Sequence, residues 1–65
     1  MMRRREVLRH IEQHGYKFLR EGARHTVYYN PQNRKTSTVP RHREIVDVLV
    51  RKICKDLDIR SPFDK

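Results

Sequence analysis

The chain is poor in the residues that build several familiar kinds of site. It has one cysteine, two glycines and no tryptophan in 65 residues. A lone cysteine, Cys54, excludes a disulfide framework within one chain. Its apolar neighbours make it a small buried side chain rather than a nucleophile. Two glycines cannot make a phosphate-cradling glycine-rich loop. No apolar run is long enough for a membrane span, and the basic start "MMRRREV" is followed by no apolar leader segment. The expected location is the cytoplasm, with no membrane partner. Acidic side chains are scarce as well: eight Asp and Glu face sixteen Lys and Arg, a formal charge of +8.

So large a charge on so short a chain favours a polyanionic partner, RNA or DNA ahead of an acidic protein or a membrane surface. Residues 1–65 make a single domain with a thin core, which a partner or self-association would help to stabilise. There are no internal repeats and no linker.

Hydrophobic spacing predicts a helix over residues 3–14, with Val7, Leu8 and Ile11 on one arc and Gly15 as its stop. His14, on the same arc, is expected to pack or to sit on the C-terminal dipole. "YKFLRE" (16–21) is rich in β-formers but alternates poorly; it reads as a strand, and Gly22-Ala23 as a tight turn. "RHTVYYN" (24–30) is a second strand, "NPQNR" (30–34) a turn, and "KTSTV" (35–39) a third strand ended by Pro40. Residues 44–57 form the strongest element. Ile45, Val46, Leu49, Val50, Ile53, Cys54 and Leu57 share a broad helical face, with Val48 off the stripe. Phe63, in the tail, either folds back or docks elsewhere. The order α-β-β-β-α predicts an α+β fold: a three-stranded antiparallel meander with both helices on one face.

Candidate chemistry centres on His25. Alternation puts His25, Val27 and Tyr29 on one strand face and Thr26, Tyr28 and Asn30 on the other. Spacing alone allows either a core-edge histidine or a working group. The surrounding cations (Arg24, with Lys17 and Arg20 one strand away, and Arg34 and Lys35 opening the next) suit a phosphodiester better than a metal. An imidazole takes and gives protons at cellular pH. His10, His14, His25 and His42 are scattered without acidic partners at ligand spacing, so neither a metal nor any other cofactor is expected. Ser37 has no base beside it. "TVPRHRE" (38–44) clusters Arg41, His42 and Arg43 next to a predicted helix N-terminus and reads either as a plain strand exit or as a phosphate-contact loop. The arginines of "MRRRE" are expected to be solvated and to add to the positive field.

In "HGYKFLREGARHTVYYNP", followed by "TSTVPRHREI" and a closing helix, the chain resembles the HicA toxin family of bacterial toxin–antitoxin modules over nearly its whole length. The resemblance implies a double-stranded-RNA-binding-domain-like fold, an mRNA-cleaving toxin, and silencing by a HicB-type antitoxin. The family's active histidine lies in a Gly-Ser-His stretch at the start of the second strand. Counted back from Pro31, His25 takes that position, in a Gly22-Ala23-Arg24-His25 stretch that is one residue longer and lacks the serine. "VPRH" (39–42) matches the family's strand-three exit, while Thr26 stands where the family has a second histidine.

The expected function is a metal-independent endoribonuclease with His25 catalytic. Lys17, Arg20, Arg24, Lys35, Arg41, His42 and Arg43 are its RNA contacts, and Tyr28 or Tyr29 stacks a base. The alternative is a non-catalytic RNA- or DNA-binding module. A ribosome-associated structural protein fits the charge but leaves His25 unexplained.

Overall fold

A computed structural model describes residues 1–63. In chain order the elements are β1 (Met2–Arg3), α1 (Arg4–Gln13), β2 (Lys17–Glu21), β3 (His25–Tyr29), β4 (Thr36–Pro40), β5 (Glu44–Ile45) and α2 (Asp47–Asp56). Strands β2-β3-β4 form the expected three-stranded antiparallel meander. Val7 and Ile11 of α1 share one core cluster with Val50, Ile53 and Cys54 of α2, Tyr28 of β3 and Val39 of β4. Both helices therefore cover one face of the sheet, and the α+β prediction holds.

Helix α1 ends where the glycine predicted. Gly15 takes φ +88°, and the N–H groups of Gly15 and Tyr16 donate to the carbonyls of Glu12 and Ile11. These two bonds close the helix C-terminus in a Schellman turn. His14 stays exposed; its Nδ1–H donates to the His10 carbonyl at 2.9 Å, so it sits at the helix end rather than in the core. Tyr16 follows fully inside, its hydroxyl donating to the Leu57 carbonyl and tying the two helix ends together. Phe63 folds back against the core and lies under the Arg51 guanidinium at 5.3 Å.

Three boundaries differ from expectation. The second helix begins at Asp47, not residue 44. Glu44 and Ile45 instead pair with Arg3 and Met2 in a two-residue antiparallel ribbon. Ile45 is still buried, because its extended backbone aims it inward, but Val46 becomes the N-cap and is 53% exposed rather than core. The first helix likewise starts at Arg4, since Arg3 belongs to β1. Pro40 ends β4 as expected, but as its last paired residue, opposite His25, rather than the first residue past it. It is on an edge strand, where a missing N–H costs no ladder bond.

The poor alternation of β2 has a cause. The register runs Lys17↔Tyr29 and Phe18↔Tyr28, slips at Leu19, and resumes Arg20↔Val27 and Glu21↔Thr26. Leu19 is a β-bulge residue, and the extra residue resets the faces. Lys17 and Arg20, three apart, therefore lie on the same side of the sheet, away from the helices. Phe18 and Glu21 lie on the other, with Phe18 edge-on to the Tyr28 ring at 6.3 Å.

Candidate active site

Directly opposed residues in an antiparallel ladder share a face. The face away from the helices thus carries Lys17 and Arg20 from β2, His25, Val27 and Tyr29 from β3, and Thr36, Thr38 and Pro40 from β4. His25 opens β3 at one end of this face. It is exposed, and its ring makes no hydrogen bond or ion pair among the described residues. Thr26 and Tyr28 are buried on the helix side; Val27, on the other face, is buried as well, so that face is open at His25 and half-covered along its middle.

The turn before His25 depends on Gly22. Its N–H donates to the His25 carbonyl at 2.7 Å, closing a hairpin around Ala23 and Arg24. A Cβ on Gly22 would stand 3.1 Å from that same carbonyl oxygen, so any side chain there would push the start of β3 by a few tenths of an ångström. Arg24 lies exposed in the turn, beside His25 in sequence.

Beneath this strand end lies a polar network. Arg4, half-buried in the first turn of α1, donates from Nε to the Pro40 carbonyl at 3.1 Å and from Nη2 to the Thr26 hydroxyl. Thr26 donates in turn to Glu21 Oε1 at 3.0 Å, and the other Glu21 oxygen is ion-paired with Arg41. Pro40 is the cross-strand partner of His25 and Thr26 is its chain neighbour. Arg4 thereby clamps the histidine's own strand to its β4 neighbour.

The predicted contact residues divide into two groups. Arg20, Arg24 and Arg41 belong to the His25 end of the sheet. Lys17 shares the face but pairs with Tyr29, four residues along β3 and about 14 Å from His25 at a strand's rise. Lys35 is not on that face. It precedes Thr36, points to the helix side, and reaches Asp58 at 3.5 Å. His42 and Arg43 are exposed in the connection between β4 and β5. That connection does not sit at the N-terminus of the second helix, as the sequence suggested. It sits at that of the first, where the Arg43 carbonyl accepts the Arg4 N–H at 2.8 Å.

Of the two tyrosines, Tyr28 serves the core and Tyr29 is half-buried on the open face. Burial, and then the nearby Glu12 carboxylate that its hydroxyl contacts at 3.4 Å, push the Tyr28 phenol above its ordinary pKa. Among the described residues no group of three or more His, Cys, Asp or Glu side chains converges as a metal site. No described helix is long and apolar enough to cross a membrane.

Sequence reasoning missed Arg4, which it left among solvated arginines. The signal was present: Arg4 falls on the Val7–Leu8–Ile11 arc, where a charged side chain must find partners.

No curated protein and no solved structure matches the chain. A family model does, described as the HicA toxin of bacterial toxin–antitoxin systems, over residues 4–59. That span runs from the arginine clamp through the His25 hairpin to the end of the second helix, and on it the chain belongs to the HicA toxin family.

Proposed function

We propose that this toxin is a metal-independent endoribonuclease acting on mRNA, with His25 as its catalytic residue. The observation that carries the reading is an unpartnered, exposed imidazole at one end of an open, cationic sheet face. RNA brings its own nucleophile. The 2′-oxygen attacks phosphorus, the bond to the 5′-oxygen breaks, and the products are a 2′,3′-cyclic phosphate and a 5′-hydroxyl. His25 takes the proton from the 2′-hydroxyl or gives one to the departing 5′-oxygen. Arg24 and Arg20 stand at the same end to hold the phosphate and the charge that grows on it, with Arg41 close by but paired to Glu21. Tyr29, half-buried on the same face, is placed to stack an unpaired base. A HicB-type antitoxin, acidic enough to be steered to this face, would silence the toxin by covering His25.

The test is RNA cleavage in EDTA. His25→Ala should lose at least ~100-fold in rate, the span of one acid–base group, while still binding RNA. Full activity in that variant overturns the assignment, and equal cleavage of DNA overturns the 2′-hydroxyl mechanism. If the parent binds RNA without cutting it, the non-catalytic binding module is the better account. Co-expression with the product of the neighbouring reading frame should yield a complex without nuclease activity.

A further inference from the structure

The short β1–β5 ribbon creates a feature that the sheet-face site does not use. It brings the first arginines of the chain against the β4–β5 connection. Between them lies an open cleft of about 640 Å³, lined by Arg3, Arg4, Arg5, Arg41 and Arg43, with Glu44 as the one carboxylate. Two of these arginines are already engaged: Arg4 on Pro40 and Thr26, Arg41 on Glu21. The guanidinium groups of Arg3, Arg5 and Arg43 have no ion-pair or hydrogen-bond partner among the described residues, and Glu44 is paired with none of them.

We propose that this cleft is a subsite for the backbone phosphates of single-stranded RNA, next along the chain from the phosphate at His25. The proposal rests on the RNA-cleaving reading above. Three arguments carry it. First, the cleft begins one residue beyond the cross-strand partner of His25. Pro40 pairs with His25, and Arg41 to Arg43 follow it directly, a stretch of no more than ~10 Å even when extended. Second, its lining is right for phosphate. Arginine forks bind phosphate oxygens in pairs, and backbone contacts of this kind position a strand without reading its sequence. Third, the lining is wrong for a protein. The core of a protein interface is anchored by aromatic and aliphatic side chains, and this cleft has none. The sheet face would then hold the scissile phosphate, and the ribbon the adjoining strand.

The test separates the subsite from catalysis by working in the inactive His25→Ala background. Arg3, Arg5 and Arg43 are replaced together by Gln. These are exposed and unpartnered, so the fold should be unchanged, which a thermal melt checks. Binding of a 12-nucleotide single-stranded RNA should weaken at least tenfold at ~0.1 M salt. The slope of log K against log salt should fall by about 2, at ~0.7 per lost phosphate contact on a single strand. A triple Arg→Lys variant should keep most of that slope. A dinucleotide monophosphate, titrated by NMR, should bind parent and triple variant alike, because it is too short to span from His25 to the cleft. An unchanged slope with the 12-mer overturns the proposal and leaves the cleft to an acidic protein. Equal weakening toward the dinucleotide also overturns it, since the arginines would then act as a diffuse field. The nuclease reading fails by a different result, retained cleavage in His25→Ala.

Discussion

Arg4→Met is the sharpest probe of the clamp beneath His25. Methionine keeps a long apolar stem on the same helix arc but donates nothing. Two bonds are lost, one to the Pro40 carbonyl at 3.1 Å and one to the Thr26 hydroxyl. Hydrogen bonds from a charged donor contribute about 1.5–3 kcal/mol each when buried. Arg4 is half-buried, so solvent takes part of that back, and the pair together should be worth about 2–3 kcal/mol. For a domain of this size, each kcal/mol moves the melting point by roughly 4–8 °C. The variant should therefore melt roughly 10–20 °C below its parent by circular dichroism. Thr26→Val removes the other partner, and it also removes the Thr26–Glu21 bond at 3.0 Å. In a double-mutant cycle, Arg4 and Thr26 should show a coupling of about 1 kcal/mol. Arg4→Lys, with its charge but without the fork, should fall between parent and Arg4→Met. A melting point for Arg4→Met within ~3 °C of the parent, or strict additivity in the cycle, would refute the clamp.

Gly22→Ala should press its Cβ on the His25 carbonyl, now 3.1 Å from that position, and shift the start of β3 by a few tenths of an ångström. Its expected signature is a loss of RNA cleavage, read as kcat, that is larger than the loss of melting temperature warrants; a variant with parental kcat would contradict it. Tyr28→Phe tests the buried phenol. The folded state raises the Tyr28 pKa above 10.0, chiefly by burial and then through Glu12, against a smaller opposing effect of Arg4. A raised acid pKa gives stability that is whole below pH 10 and is lost as pH climbs through the folded-state value. Melts between about pH 8 and 11 should thus fall more steeply for the parent than for Tyr28→Phe, and parallel curves would contradict the shift.

Most of the architecture was legible because it is written in strong periodic signals. The arc of Val7, Leu8 and Ile11, the long stripe ending at Leu57, and the glycine at the end of α1 each announce an element by themselves. What escaped were features with no period. A two-residue strand has no alternation to detect, and Ile45 suits an inward-facing strand position as well as the helix stripe that claimed it. Val46 is a poor N-cap, with no side-chain hydrogen bond, so nothing in the sequence marked where α2 begins. His25 could be proposed because it is a lone imidazole among cations, and its face followed from alternation. Lys35 was misplaced for want of the same parity count: it comes one residue before the open-face Thr36 and so belongs to the helix side, with Asp58. The arginine cleft was invisible because its walls are almost forty residues apart in the chain and meet only through the β1–β5 ribbon.

The single unpaired residue in β2 works as a parity switch. If Leu19 were paired as an ordinary ladder residue instead of bulging, strict alternation would send Lys17 and Arg20 to opposite sides, and one of the two would be driven among the helices. With the bulge, two cations spaced three apart act together on one surface. A further residue inserted between them and paired into the ladder would therefore exchange a charge for an apolar neighbour across the sheet, whereas a conservative swap at position 19, or deletion of Leu19 itself, would leave the surface intact. Relatives of this chain should keep the pairing of spacing with bulge (three apart with one, or two apart with none) more faithfully than the identity of residue 19, so that the shared face, and not the side chain, is the inherited trait.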